Sequence, residues 1–340
     1  MELVRDPRLI GDDGLPLFGL HSGPIEIFNI DELRQRGREK SSKARTELIK
    51  DFQLKRWLYL GVCDRDIVFG AAIVHLGYLS NVFAYAFERG NGKLTEFGAN
   101  QPLAAHTEFT GSFMDGTARF QAGGADIRMR NQAGSIGLLA NVEGRLEAEL
   151  EFTGIGAGLS LVTRVGLERF NYTTKEAGLA VRGRIRAAGR EYALEGDAPR
   201  GIADYTYGYL ARYTFWNWAA GAGLAADGTR IGFNLSQGVN ETGFTENAFW
   251  ADGAMVKADL ADFRYDDLDP LKPWRVRTAD GKVDLSFKPE GQRTSRVNLG
   301  IISSRFRQPF GSYSGRLTDG RRTWELGDVS GFVEEHESTW

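Results

Sequence analysis

The chain has 340 residues, 42% of them hydrophobic and 26% charged, with a formal net charge of −3; that length suits two domains, or one large β-rich unit, with enough core to fold without staples. The near-neutral charge excludes a global basic field for nucleic acid, and the single cysteine, Cys63, excludes an internal disulfide or a thiolate metal cluster. No apolar run reaches the roughly 20 residues needed to cross a bilayer, and "MELVRDPRLIGDDG" lacks the pattern of a secretory signal, so a cytoplasmic protein is expected.

In chain order, the first element is the best helix candidate, "NIDELRQRGREKSSKARTELIKDF", with Asn29 or Asp31 as its cap. Gly37 and the serine pair interrupt it, so short helical pieces are expected near 29–52. Between Leu33 and Arg56 there are nine Lys/Arg against three Asp/Glu. A solvated face accounts for that excess; peripheral contact with a membrane surface is the sharper reading, but no apolar stripe accompanies the charge.

From there the chain reads as strands. "KRWLYLGVCDRDIVFGAAIV" is an aromatic-rich strand pair that buries Cys63 as a small, inert residue. "SNVFAYAFERG" alternates Asn81, Phe83, Tyr85 and Phe87 against Val82, Ala84 and Ala86, and "GRLEAELEF" sets Leu146, Ala148, Leu150 and Phe152 opposite charged residues. "EGDAPRGIADY" offers a break at Pro199 and Gly201, dividing the chain into an N-terminal β domain, 1–198, and a C-terminal one, 199–340. Next comes "DYTYGYLARYTFWNWAAG", with seven aromatic residues, read as one strand near the start of the second half. Its alternation puts Tyr205, Tyr207, Tyr209, Tyr213 and Phe215 on one face and Arg212, Thr214, Trp216 and Trp218 on the other. "TRIGFNLSQG" alternates Ile231, Phe233 and Leu235 against Gly232, Asn234 and Ser236. Asp-Gly at 13–14, 115–116, 227–228, 252–253, 280–281 and 319–320, and Asn-Gly at 91–92, mark hairpin turns throughout. Recurrent hairpins with few helices predict an all-β, antiparallel architecture of tandem barrels or strongly curved sheets.

Candidate chemistry centres on the aromatic block. Tyr and Trp rings give apolar walls with polar tips, suited to a cavity for a small hydrophobic molecule such as an isoprenoid or acyl compound. Tyr205, Tyr209, Tyr213, Trp216, Trp218 and Trp250 are the candidate ring contacts; Asn234, Gln237 and Asn247 are the candidate polar ones. Glu246, in "TENAFW", becomes a general acid if burial raises its pKa. Asp204 is its candidate partner carboxylate, with Tyr207 or His75 assisting. A carboxylate closing a turn or pairing with Arg212 is the plainer role for these acids, and core filling the plainer role for the rings. The four histidines show no zinc-binding spacing, and His336, in "EEHESTW", reads as a surface or terminal-strand residue. "GIGAGL" is not a dinucleotide loop, and neither a phosphate loop nor a G-x-S-x-G elbow occurs. No metal and no cofactor is therefore expected.

Five blocks, "RWLYLGV", "HLGYLSNVFAY", "DYTYGYLARYTFWNWAAG", "GFNLSQGVNETGFTENAFWADG" and "GRRTWELGDVSGFVEEHESTW", make most of the chain resemble an uncharacterised bacterial domain family of similar length. More distantly, the chain is similar to the tandem lipocalin-like fold of carotenoid 1,2-hydratases and related fungal pericyclase proteins. The resemblance implies a fold of two lipocalin-like barrels and carries no activity with it. Binding of a hydrophobic ligand is the leading reading; the alternative is cofactor-independent acid–base hydration, isomerisation or cyclisation of such a ligand, and the third is carbohydrate binding, which needs Trp216, Trp218 or Trp250 on an open surface.

Overall fold

A computed structural model describes residues 3–34, 52–132, 134–156, 158–165, 169–298 and 302–339. Most of the helical stretch expected near 29–52, and six of the nine Lys/Arg between Leu33 and Arg56, lie outside the described residues; Ile30–Glu32 form a 3-10 turn. No described helix is long and apolar enough to cross a membrane.

The rest is β structure in two strongly curved antiparallel sheets. The first holds β1 (Gly19–His21), β2 (Lys55–Cys63), β3 (Ile67–His75), β4 (Leu79–Glu88), β5 (Lys93–Pro102), β6 (Thr107–Gly111), β7 (Gly116–Ala122), β8 (Ala125–Gln132), β9 (Ser135–Val142), β10 (Leu146–Thr153), β11 (Leu159–Val165), β12 (Arg169–Ala187), β13 (Arg190–Leu194) and β14 (Pro199–Gly208). Its main path runs β5-β4-β3-β2-β14-β12-β10-β9-β8-β7-β6. The second holds β15 (Tyr213–Leu224), β16 (Arg230–Gln237), β17 (Ala248–Ala251), β18 (Ala254–Lys257), β19 (Ala261–Arg264), β20 (Trp274–Thr278), β21 (Val283–Asn298), β22 (Ser303–Thr318) and β23 (Thr323–Thr339), in the order β18-β17-β16-β15-β23-β22-β21-β20-β19.

Side-chain alternation sorts the apolar residues into three layers. Leu58, Leu60 and Val62 of β2, with Val82, Ala84 and Ala86 of β4, point into the first sheet's own interior. Phe233, Leu235, Phe287 and Tyr313 fill the second sheet's interior. A third layer lies between the sheets, where Tyr59 and Cys63 of β2 and Tyr85 and Phe87 of β4 meet Trp218, Trp250, Phe310 and Phe332. Strands at this contact are buried on both faces over much of their length, so β2 carries large apolar residues at successive positions and β4 sets Phe83, Tyr85 and Phe87 against Val82, Ala84 and Ala86. By contrast β10, with its charged alternate residues, has one dry and one wet face.

Glycine sets how closely the sheets approach. A Cβ on Gly232 of β16 would lie 2.2 Å from the backbone of Ala177 and Gly178 in β12, where Gly178 interrupts the β12–β14 register at a φ of +81°. Because the obstruction is backbone rather than a movable side chain, Gly232→Ala is expected to destabilise the protein by about 1–3 kcal/mol or more, read as a lower midpoint of urea unfolding. Cys63 sits in the same layer, fully enclosed, and burial pushes its thiol up to about 12. The folded protein should therefore leave Cys63 unmodified by a thiol-specific disulfide reagent, whereas the urea-unfolded chain reacts at once.

The aromatic block is not one strand. Its first part ends β14, paired with β2 and β12 in the first sheet; its second part begins β15, in the other sheet. The chain changes sheets across residues 209–212. Pro199 and Gly201 lie inside β14, beside β2, rather than at the crossing. A two-domain division is accordingly proposed with its boundary at 209–212 instead of 198/199.

Candidate active site between the two sheets

A cavity of about 390 Å³ opens at one end of the inter-sheet layer. Trp57 and Tyr59 of β2, Lys175 of β12, Asp204 of β14, and Trp216 and Trp218 of β15 line it, together with Arg293 of β21 and Glu334 and His336 of β23. Strand alternation accounts for the selection: Asp204 and Thr206 line the cavity, while Tyr205 and Tyr207 belong to the first sheet's interior.

Two polar groups stand on these walls. In the first, Lys175 Nζ donates to Asp204 Oδ1 at 2.7 Å and lies 3.6 Å from Glu246 Oε2, all three side chains being buried. Trp57 Nε1 donates to Asp204 Oδ2 at 3.1 Å, and Asn240 Nδ2 to Glu246 Oε2 at 2.6 Å. Asn240 is itself fixed by Asn171 Nδ2 and Thr163 Oγ1, which both donate to its Oδ1. Burial opposes the charge on Lys175, but the Asp204 and Glu246 carboxylates outweigh it and hold the ammonium above its ordinary pKa. Burial pushes the Glu246 carboxyl up, against the pull of Lys175.

The second group was not anticipated. Glu334 Oε1 accepts from Trp216 Nε1 at 2.9 Å and its Oε2 from Gln308 Nε2 at 3.2 Å. Among the described residues no Lys or Arg nitrogen lies within ion-pair distance of it; His336 Nδ1 is 3.8 Å away. Burial pushes Glu334 up to about 7, despite the Trp216 hydrogen bond and the more distant Arg293 charge. His336 stacks edge-on to Trp216, with Nε2 in hydrogen-bond reach of Ser304 Oγ and Ser338 Oγ. Burial, helped by the Arg293 charge, lowers its pKa to about 3, so the imidazole is neutral at pH 7. Beside them Tyr59 shares a 2.8 Å hydrogen bond with Tyr85, and burial keeps the Tyr59 phenol protonated.

Of the residues singled out in the sequence, Glu246, Asp204, Trp216 and Trp218 come together at the cavity. Asn234 supports it from behind, accepting from Trp218 Nε1 at 2.7 Å and donating to the Glu246 carbonyl at 2.7 Å. The others sit elsewhere. Tyr205, Tyr207 and Tyr209 pack in the first sheet's interior; Phe28 meets the Tyr207 ring at 4.7 Å, and Arg56 donates to the Tyr205 hydroxyl. Tyr213 is exposed and donates to Glu337. Gln237 accepts from the Phe263 amide, Asn247 braces the Ser236 amide and the Asp259 carbonyl, and Trp250 is enclosed between the sheets. His75 ends β3, where its Nδ1 accepts from the Gly77 amide and its ring meets Phe109 rather than the cavity. Asp204 pairs with Lys175, not Arg212. His336 does lie on the terminal strand, but as part of the cavity wall. Trp218 and Trp250 are buried and Trp216 faces the cavity, so none forms an open ring platform for a sugar.

Fold and site together define a tandem lipocalin-like β protein with an acid-bearing cavity between its two sheets. The chain belongs to the DUF2804 family: the model for that domain of unknown function matches residues 2–340. A comparison with curated protein sequences finds no match. Among solved structures, the chain is similar to a protein assigned as AttH from Nitrosomonas europaea, with a TM-score of 0.50 and 12% identity over 89% of this chain and 96% of that one. It is similar to CghA, crystallised with Sch210972, with a TM-score of 0.51 and 12% identity over 99% and 97%. Kievitone hydratase from Nectria haematococca matches with a TM-score of 0.50 and 9% identity over 84% and 88%. At these identities the likeness is one of fold.

Proposed function

We propose that this protein is a cofactor-independent acid–base catalyst of the hydratase, isomerase or cyclase type, acting on a small hydrophobic molecule in the inter-sheet cavity. The observation that carries the reading is Glu334, a buried carboxyl with no cationic ion-pair partner among the described residues, poised near pH 7 in a largely aromatic and aliphatic chamber. A group with that pKa gives up a proton and takes it back at neutral pH with little bias either way. Protonated Glu334 would deliver its proton to a double bond or carbonyl of the bound molecule. Positive charge developing on carbon would be stabilised by the faces of Trp216 and Trp218. The Asp204–Lys175–Glu246 group would hold a water, or a substrate hydroxyl, at the opposite wall. Water that bonds to the cationic carbon and gives a proton to Glu246 or Asp204 completes a hydration; loss of a proton from the neighbouring carbon to one of these carboxylates, with no water added, completes an isomerisation. The hydratase activity in the name of kievitone hydratase, which shares the fold, supports the choice of chemistry.

The test is isotopic. The protein is incubated in deuterium oxide with a lipid extract of its source organism, and the extract is read by mass spectrometry. Wild type is expected to add water or exchange deuterium into at least one component, and Glu334→Gln to leave that component unchanged. Retention of a component by both proteins, with no isotopic change in either, would instead establish a binding protein without chemistry.

A further inference from the structure

A cation with unmet donors stands on the cavity wall opposite Lys175. Arg293 of β21 lines the cavity, is 8% exposed, and holds its guanidinium 4.3 Å from the Phe83 ring centroid, 4.8 Å from Tyr85 and 4.9 Å from Phe306. Rings over the faces of a guanidinium offset part of its lost hydration, but its N–H donors lie in its plane and need acceptors. Among the described residues, no acceptor lies in hydrogen-bond reach of the buried Arg293 Nε and Nη1. Among the described residues, the carboxylate within ion-pair distance is Glu96, 3.6 Å from Nε on a side chain 47% exposed. That contact is too long for a hydrogen bond, and its charge is screened by water. An enclosed cation with unmet donors is costly unless an anion completes it.

We propose that the cavity takes a hydrophobic molecule bearing a carboxylate, and that Arg293 binds this carboxylate. The identification rests on the cavity being a ligand site, and it names the substrate class. Charge decides for a monoanion: the other lysine or arginine on the wall, Lys175, is already neutralised by Asp204 and Glu246. A diphosphate would bring more negative charge than one guanidinium answers. Neighbouring geometry suits the same ligand. Arg293 stands opposite Gln308 in the β21–β22 register, and Gln308 in turn donates to Glu334, so cation, amide and acid form a row across three strands. A carboxylate held at one end of the row places the apolar body of the molecule along the wall that carries Glu334.

Isothermal titration with dodecanoate and dodecan-1-ol at pH 7 tests the assignment. Wild type is expected to bind dodecanoate about 10- to 100-fold tighter than the alcohol, the range for a charge-assisted pair. Arg293→Met should erase the preference by weakening the acid alone, with a melting temperature no lower than wild type because the substitution removes a buried charge. Glu334→Gln should keep the preference. Equal binding of acid and alcohol by wild type overturns the role of Arg293 and spares the cavity, as does a preference that survives in Arg293→Met. Failure of wild type to bind either probe overturns both this inference and the hydrophobic-cavity reading. Should Arg293→Met not fold, the wild-type comparison and Arg293→Gln decide the matter alone.

Discussion

Lys175→Met is expected to destabilise the protein by about 3–5 kcal/mol, the range for removing one partner of a buried ion pair. The substitution leaves Asp204 and Glu246 facing each other in the inter-sheet layer with no cation between them. Their remaining hydrogen bonds, from Trp57 and Asn240, satisfy single oxygens and carry no charge. Urea unfolding at pH 7 reads the loss directly. The deficit should shrink as pH falls and Glu246, which burial pushes up, takes up a proton, and Lys175→Met combined with Asp204→Asn and Glu246→Gln should recover much of it. A change below about 1 kcal/mol would place the group in the solvated class of ion pairs and remove it from the proposed chemistry.

Glu334→Gln carries the second large effect, on chemistry and on the pH dependence of stability. The folded state raises the Glu334 pKa from 4.5 to about 7, so the fold favours the neutral acid. Its contribution to stability is therefore complete below pH 4.5 and is lost as pH rises through 7, by about 3 kcal/mol in all. Glu176 follows the same course, raised to about 7 by burial against the pull of the Gly156 and Gly158 amides, and it lies outside the cavity. Glu246, which burial also pushes up, takes stability away in the same sense, while His336, held neutral in the fold, returns some as pH rises to about 6.5; the difference between wild type and Glu334→Gln from pH 5 to pH 8 therefore isolates the Glu334 share. Turnover that needs protonated Glu334 falls above pH 7. The glutamine variant, which cannot donate a proton, is expected to be slower by about 10²- to 10⁴-fold.

Much of the fold was legible because turns and alternation are local. Asn91-Gly92 and the Asp-Gly pairs at 115–116, 227–228, 252–253, 280–281 and 319–320 each lie at the junction of two consecutive antiparallel strands. At Asp252-Gly253 both residues have positive φ, 48° and 82°, as a type I′ turn requires. The alternation in β10 gave its burial pattern residue by residue. The aromatic block misled because Gly208, which ends β14, is a lone glycine with no Pro, Asn or Asp beside it to mark a turn, and a change of sheet leaves no mark on the alternation either side of it.

The site was half legible for a related reason. Glu246 and Asp204 stood out as acids beside rings, and both reach the cavity. Their shared partner, Lys175, is 29 residues before Asp204 and meets it only through the β12–β14 register. Glu334 and His336 did leave a signal. In "SGFVEEHESTW" Phe332, Glu334, His336 and Ser338 share one face of a strand, and an acid beside an apolar residue on one face marks a polar group on a buried wall. What that wall faces depends on a second sheet, whose position no single strand encodes. Tyr205 and Tyr207 lie away from the cavity on the same ground: alternation separated them from Asp204 but did not say which face met the cavity.

A carbon-13 NMR titration of the glutamate side-chain carboxyls tests the central claim most directly, with the Glu334 signal assigned by its absence in Glu334→Gln. An acid built for proton transfer in this cavity titrates near pH 7. A Glu334 carboxyl that titrates near 4.5, as in an unfolded chain, would be fully ionised at neutral pH and would contradict its role as the acid.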